Sequence, residues 1–228
     1  MTAHAIRLRY QTSPLATCAV MFAILAVVRI AGAFSVPLVV VSVVLTPLVV
    51  AAVPPSMRRD VGLRKLSSAR GLVSTVALVV LVYAATAAAC AVAFGGGDDN
   101  WITWIPRVFE ELTPGAPVAT AIAMLICLGI LVPVAEEVCY RGVLQHTLQR
   151  RFGPAAAVIL TAAAWAFVHM GDYGLKPLNS LVLAGMLPSV FLMGVALGVC
   201  RLVTGSVVGS IIAQGVANLL LLGWVMLA

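Results

Sequence analysis

The sequence predicts an all-α protein, a polytopic transmembrane helical bundle of about seven to eight spans. Three observations predict this class. Of the 228 residues, 62% are hydrophobic and only 10% are charged, whereas soluble domains contain about 25% charged residues. The apolar residues also form several uncharged runs of about 18 or more residues, the length that crosses a bilayer as a helix. No separate soluble domain is indicated, so residues 1–228 are expected to form a single membrane domain.

Seven apolar runs give the expected spans. Three lie in the N-terminal part, 14–94, and four lie in 118–227, which carries the motifs discussed below. The polar interruption between these parts is expected to form an interfacial helix around Trp101 and Trp104, because Trp favours the membrane interface; a tilted or re-entrant eighth span there stays open. The expected spans are 14–34, 37–53, 71–94, 118–135, 154–170, 178–200 and 206–227.

Lys and Arg set the expected orientation, because cytoplasmic loops carry an excess of them. The basic residues fall on one side if the spans alternate, and the other side receives mainly acidic residues such as Asp98 and Asp172. We therefore expect a multi-pass protein of the cell membrane with a cytoplasmic N-terminus. This distribution accounts for the pI of 9.4 without nucleic acid as a partner. The basic side would carry Arg7, Arg9, Arg58, Arg59, Arg64, Lys65, Arg70, Arg141, Arg150, Arg151 and Arg201.

Few polar residues remain within the expected spans, and each is a functional candidate because its burial in a membrane is costly. Arg29 and Glu136 are two of them. The other five fall in pairs with a four-residue spacing, one of them with Trp165, and this spacing puts both side chains of a pair on one helix face. The pairs are Glu137 with Arg141, Trp165 with His169, and Gln214 with Asn218.

Residue counting along the helices predicts that three of these side chains meet at one height. A turn is expected at 152–153; Glu136 lies sixteen residues before it and His169 sixteen residues after it. Both are therefore roughly 24 Å from the turn, at 1.5 Å per residue. Asn218 comes twelve residues after Ser206, or about 18 Å up its own helix by the same rise.

Glu136 and its neighbour Glu137 have different expected roles. Glu137 can pair with Arg141 as a structural anchor, whereas Glu136 has no basic residue four positions later and is the candidate general base. Measured from the start of its apolar run, Glu136 lies near a membrane boundary, but measured from the turn it lies deeper. Tilt, or a break near Pro133, would reconcile the two heights.

Three motifs in this order resemble those of the CPBP family, the CAAX proteases and bacteriocin-processing enzymes also called the Abi family. The stretch "EEVCYRG" from Glu136 resembles the EExxxR motif, and "WAFVH" ending at His169 looks like FxxxH with Trp165 in the Phe position. The stretch "AQGVAN" ending at Asn218 looks like the last motif, usually HxxxN, with Gln214 in the histidine position. The similarity covers about residue 60 to the C-terminus.

The resemblance implies an intramembrane endopeptidase that hydrolyses a peptide bond of a membrane-associated or lipidated peptide or protein. Water would be activated by Glu136, and Asn218 is able to donate to the developing oxyanion. The bilayer and the peptide or lipidated protein substrate are the expected partners. The implied catalytic residues are Glu136, Glu137, Arg141, His169 and Asn218, with Gln214 and Trp165 at the substrate or oxyanion.

A divalent metal, zinc, is the one cofactor that the resemblance suggests. Glu136 and His169 would be its ligands in a metalloprotease. Gln214 weakens this expectation, because a neutral amide is a poor zinc ligand where the family has an imidazole. The five cysteines lack metal-ligand spacing and are interpreted as small buried residues.

Two other functions stay open from the sequence. The Gln214 substitution admits a catalytically inactive family member that acts as a membrane scaffold or immunity protein. A small-solute transporter is the other, although the sequence shows no internal repeat of the kind that many transporters contain.

Overall fold

The structure, a computed structural model, describes residues 53 and 55–227 together with a few positions nearer the N-terminus. Those positions are 23, 26, 27, 29–31 and 34. The expected span 14–34 therefore lies mostly outside the described residues, the span 37–53 almost entirely so, and Arg7 and Arg9 wholly so. The described elements are helical, which confirms the predicted all-α class.

Six helices follow one another in residues 69–227. They are α1 (Ala69–Phe94), α2 (Trp104–Leu112), α3 (Pro117–Phe152), α4 (Pro154–Val168, continued by a 3-10 turn at His169–Gly171), α5 (Ser180–Thr204) and α6 (Val207–Leu227). All except the short α2 are long and apolar enough to cross a membrane, which makes five candidate spans in the described residues. Between α1 and α3 only α2 and a short 3-10 turn at Trp101–Thr103 occur, and neither has the length of an eighth span.

Helix α3 extends beyond the expected span 118–135. That span ended at residue 135, where charged residues begin, whereas the helix continues to Phe152, next to the expected turn at 152–153. It continues because Glu136, Glu137 and Arg141 are buried within the bundle instead of facing lipid. A buried and paired charge does not require the helix to end at the membrane boundary.

Two π-helical segments, Cys127–Leu131 and Val138–Leu144, interrupt the α-helical pattern of α3 on either side of the two acids. Such wider turns are frequent at functional sites. The first precedes Pro133, whose ring would clash with the carbonyl four residues earlier in a regular α-helix. The wider turn gives the ring room, so α3 passes Pro133 without a break. Glu136 is buried in the bundle, sixteen residues before the turn at 152–153.

Apolar side chains cover the outside of the bundle and polar side chains lie inside it. Large exposed hydrophobic residues include Val73, Leu81, Val92 and Ile122. A surface of this kind is a liability in water, whereas a bilayer accepts it as the lipid-facing side. The buried polar residues include Glu136, Glu137, Arg141, Gln145, His169 and Gln214.

The connecting segments sort into two ends of the bundle. At one end the amide of Val207 donates to the carbonyl of Gly62 at 2.9 Å, which joins the α5–α6 turn to the basic segment before α1. At the other end Asn179 Nδ2 donates to Asp99 Oδ1 at 2.9 Å. The basic loops thus share one end and the acidic loops share the other, as alternating spans require.

We expect the basic end to be cytoplasmic and the acidic end to be outside. Cysteine substituted at exposed positions 98 and 151 would be labelled with a membrane-impermeant maleimide, with the unsubstituted chain as the control for its native cysteines. Asp98→Cys should react in intact cells, and Arg151→Cys only after permeabilisation. The reverse pattern would contradict this orientation.

Candidate active site

Four of the spanning helices, α3 to α6, together with α1, surround a cavity. Its volume is about 80 Å³, which is room for several water molecules. Most of its wall is apolar. The polar and charged residues in the wall are Arg29, Glu136, His169, Asp172, Gln214 and Asn218, with Tyr83 and Tyr173.

Glu136 is held by donors from three other segments of the chain. Trp165 Nε1 from α4 donates to its Oε2 at 3.1 Å, and Gln214 Nε2 from α6 donates to the same oxygen at 2.8 Å. The Nη1 group of Arg29 pairs with its Oε1. All three partners donate, so the site favours the ionised carboxylate although Glu136 is buried.

Arg29 connects Glu136 to Asp172. Its Nε donates to Asp172 Oδ1 at 2.9 Å and its Nη2 to Asp172 Oδ2 at 2.6 Å, a two-point pairing that fixes the plane of the guanidinium. Nη2 also lies 3.4 Å from His169 Nε2. The guanidinium therefore occupies the space between two carboxylates and an imidazole.

Gly171 allows the Arg29 backbone to approach the turn that follows α4. A Cβ atom at position 171 would lie 2.6 Å from the Cα of Ile30, closer than packed side chains permit. A larger residue would separate the Arg29 segment from this turn. The glycine is thus one reason that Arg29 reaches Glu136.

His169 presents one ring nitrogen to this cluster. Its Nδ1 lies 2.7 Å from the backbone oxygen of Trp165, which can only accept, so Nδ1 carries the proton in this arrangement. Its Nε2 lies 4.0 Å from Glu136 Oε1 and 3.8 Å from Asp172 Oδ2. The structure thus brings His169 and Glu136 together at one height, as helix counting predicts.

Glu137 and Arg141 form an ion pair behind the cavity. Arg141 Nη1 donates to Glu137 Oε1 at 2.6 Å, and both side chains are 0% exposed. Arg141 Nη2 donates to the carbonyl of Gly194 on α5 at 3.2 Å, and the guanidinium stacks 4.6 Å from the ring of Trp165. Neither residue lines the cavity. The pair therefore ties α3 to α5 and supports the Trp that holds Glu136.

The remaining expected site residues line the cavity with their donors engaged. Asn218 Nδ2 donates to the carbonyl of Leu128 at 2.9 Å. Trp165 and Gln214, expected at the substrate or oxyanion, instead donate to Glu136 in this structure. Two buried polar atoms of cavity residues, Gln214 Oε1 and Trp101 Nε1, have no hydrogen-bond partner among the described residues.

The residues as placed do not fit a zinc ion. No group of three or more His, Cys, Asp or Glu in the described part of the chain is arranged to hold a metal. Glu136, His169 and Asp172 do face one another, but the guanidinium of Arg29 lies between them. Gln214 adds only an amide, which is a poor zinc ligand.

Arg29 and Asp172 are site residues to which the sequence analysis assigns no role. Asp172 lies three residues after His169, a spacing that puts both on one helix face if the helix continues. Arg29 is a charge inside an expected span. The spacing was a usable signal for Asp172, whereas no pattern pairs Arg29 with residues more than 100 positions away.

Residues 118–220 match the family model described as Rce1-like, type II CAAX prenyl endopeptidase Rce1-like. The matched region carries Glu136, His169 and Asn218, and the match confirms the resemblance to the CPBP family. It supports a peptidase at the level of the family. A search of curated proteins and a search of solved structures each found no match.

The Glu137–Arg141 pair should be important for stability. Arg141→Ala leaves the Glu137 carboxylate buried without its partner, which typically costs about 3–5 kcal/mol. We expect a clear loss of thermal stability in detergent, measured by the unfolding of the purified full chain. Arg107→Ala removes an Arg–Asp pair that is exposed at the surface and should change stability by less than about 1 kcal/mol. Equal effects of the two substitutions would contradict this interpretation.

Proposed function

We propose that the protein is an intramembrane endopeptidase that hydrolyses a peptide bond in a membrane-associated or lipidated peptide or protein. One observation carries the proposal: a buried carboxylate, Glu136, and the imidazole of His169 lie 4.0 Å apart in a cavity with room for water. The match of residues 118–220 to type II CAAX prenyl endopeptidases supports a prenylated C-terminal tail as the substrate class.

Glu136 would act as the general base in this reaction. A water in the cavity, hydrogen-bonded to the Glu136 carboxylate beside His169, transfers a proton to that carboxylate as its oxygen attacks the carbonyl carbon of the substrate. The tetrahedral intermediate then breaks the C–N bond, and the proton on Glu136 passes to the departing amine. The products are a carboxylic acid and an amine. Glu136 gives the proton that it took from water to the amine, so it is ionised again at the end of the turnover.

The wall of the cavity has features that suit a peptide. Gln214 Oε1 and Trp101 Nε1 lack partners in the residues described, and a peptide group offers both an N–H donor and a carbonyl acceptor. Apolar residues such as Leu128, Val132 and Met193 cover the rest of the wall. An apolar wall with a few polar groups is typical of pockets that bind and orient a substrate.

A catalytically inactive scaffold or immunity protein is the alternative. The observation that favours it is that both oxygens of Glu136 already have donors, Arg29 on one and Trp165 with Gln214 on the other. A base in this state has to exchange a partner before it can accept a proton from water. A permanent arrangement of this kind would serve to hold the helices together instead of to catalyse.

Glu136→Gln separates the two functions because it keeps the shape of the side chain and removes the base. We expect cleavage of a farnesylated peptide with a CAAX-type C-terminus, presented in proteoliposomes, to fall at least about 10²-fold. Glu111→Gln changes an exposed acid and should leave the rate unchanged. Cleavage by Glu136→Gln at the wild-type rate would contradict the role of Glu136. A wild type that never cleaves, with both forms binding a membrane partner equally, would favour the scaffold.

A further inference from the structure

We propose that Arg29 supplies the positive charge of the active site, in the position that a metal ion takes in a metallopeptidase, and binds the oxygen of the scissile carbonyl. The inference rests on the proposed peptidase function and adds a residue to it. Arg29 lies outside the matched region 118–220, so the family match assigns it no role.

The guanidinium of Arg29 lies among three side chains of the cavity wall. It contacts Glu136 and Asp172, and its Nη2 lies 3.4 Å from His169 Nε2. Two carboxylates and a neutral imidazole are ligand types that a divalent cation prefers, but these three are not arranged to hold a metal as they stand. The space between them is occupied by a cation that belongs to the chain.

The charges of this cluster do not balance. Glu136 and Asp172 are two carboxylates and Arg29 is one cation, so with a neutral His169 the cluster has a net charge of minus one. Removal of Arg29 would leave the buried Glu136 and the partly exposed Asp172 as two negative charges facing each other, which is costly where water is scarce. Of the described residues that line the cavity, Arg29 is the one with a permanent positive charge.

Asp172 fixes the position of the guanidinium. Asp172 binds Nε and Nη2 at 2.9 and 2.6 Å, whereas Nη1 alone is directed to Glu136. The two-point contact keeps the group in place when Nη1 changes partner. Asp172 is therefore a positioning residue. The Arg29 side chain is 25% exposed, so a substrate oxygen has access to it.

A substrate carbonyl oxygen can replace Glu136 as the acceptor of Nη1. This exchange has two effects on the reaction. It releases Glu136 Oε1, which then takes a proton from the attacking water, and it places a positive donor at the oxygen that becomes negative in the tetrahedral intermediate. When the C–N bond breaks and the proton passes from Glu136 to the amine, Nη1 returns to Glu136. Water is the one co-reactant that this balance needs.

Arg29→Ala tests the role in catalysis in the full chain, with the farnesylated peptide as substrate. We expect kcat to fall at least about 10²-fold, the usual effect of removing one oxyanion donor, with KM changed only a few-fold. Added methylguanidinium should restore part of kcat, because it can replace the missing group. Arg107→Ala, the surface control, should keep the wild-type kcat.

Zinc content tests the position of the cation without any measurement of cleavage. Full-length protein in detergent is equilibrated with zinc chloride, desalted and analysed for bound metal. The wild type should retain far less than one zinc per chain. Arg29→Ala removes the cation that keeps Glu136, His169 and Asp172 apart, so these side chains can close on a zinc ion and the variant should bind zinc at least about tenfold more tightly than the wild type.

The outcomes separate this inference from the proposed function. If the wild type cleaves and Arg29→Ala cleaves equally well, Arg29 is not part of the mechanism, although the peptidase proposal stands. One zinc per wild-type chain, or no gain of zinc affinity in Arg29→Ala, overturns the assigned cation position. If the wild type never cleaves, the peptidase function and the catalytic role of Arg29 fall together, and the zinc measurement still decides where the cation lies.

Discussion

The buried charge of Glu136 is the constraint on which the rest of this structure depends. A carboxylate deep in an apolar bundle is costly unless donors surround it, and the donors here come from three places in the chain. Trp165 belongs to α4, Gln214 to α6 and Arg29 to the N-terminal part. To satisfy Glu136, these segments have to pack against α3 at one height. The cavity and the packing of the helices thus have a common cause.

The ion pair behind the cavity supports this arrangement. The Glu137–Arg141 pair bonds to the backbone of α5 through Gly194, and Arg141 stacks on the ring of Trp165. Two neighbouring acids on one helix therefore have different surroundings. Glu136 faces a cavity with room for water, whereas Glu137 faces an arginine in the dry interior. This difference assigns the reactive position to Glu136 and the supporting position to Glu137.

Much of the fold follows from the sequence, because long apolar runs and the Lys and Arg distribution are strong signals. The height match of Glu136 and His169 also follows from helix rise and one turn. The burial of Arg141 inside the bundle does not, since it depends on partners that a linear pattern does not display. The same is true of Arg29, whose pairing with Glu136 spans 107 positions. Gln214 could be located by its motif, but only the structure shows that its amide donates to Glu136.

The most direct test of the account is an experimental structure of the full chain prepared in the presence of zinc, with anomalous scattering recorded at the zinc edge. The account predicts density for the Arg29 guanidinium between Glu136 and Asp172, and no anomalous peak beside His169. An anomalous peak about 2.1 Å from His169 Nε2, the usual zinc–nitrogen distance, with Arg29 displaced from the carboxylates, would contradict it.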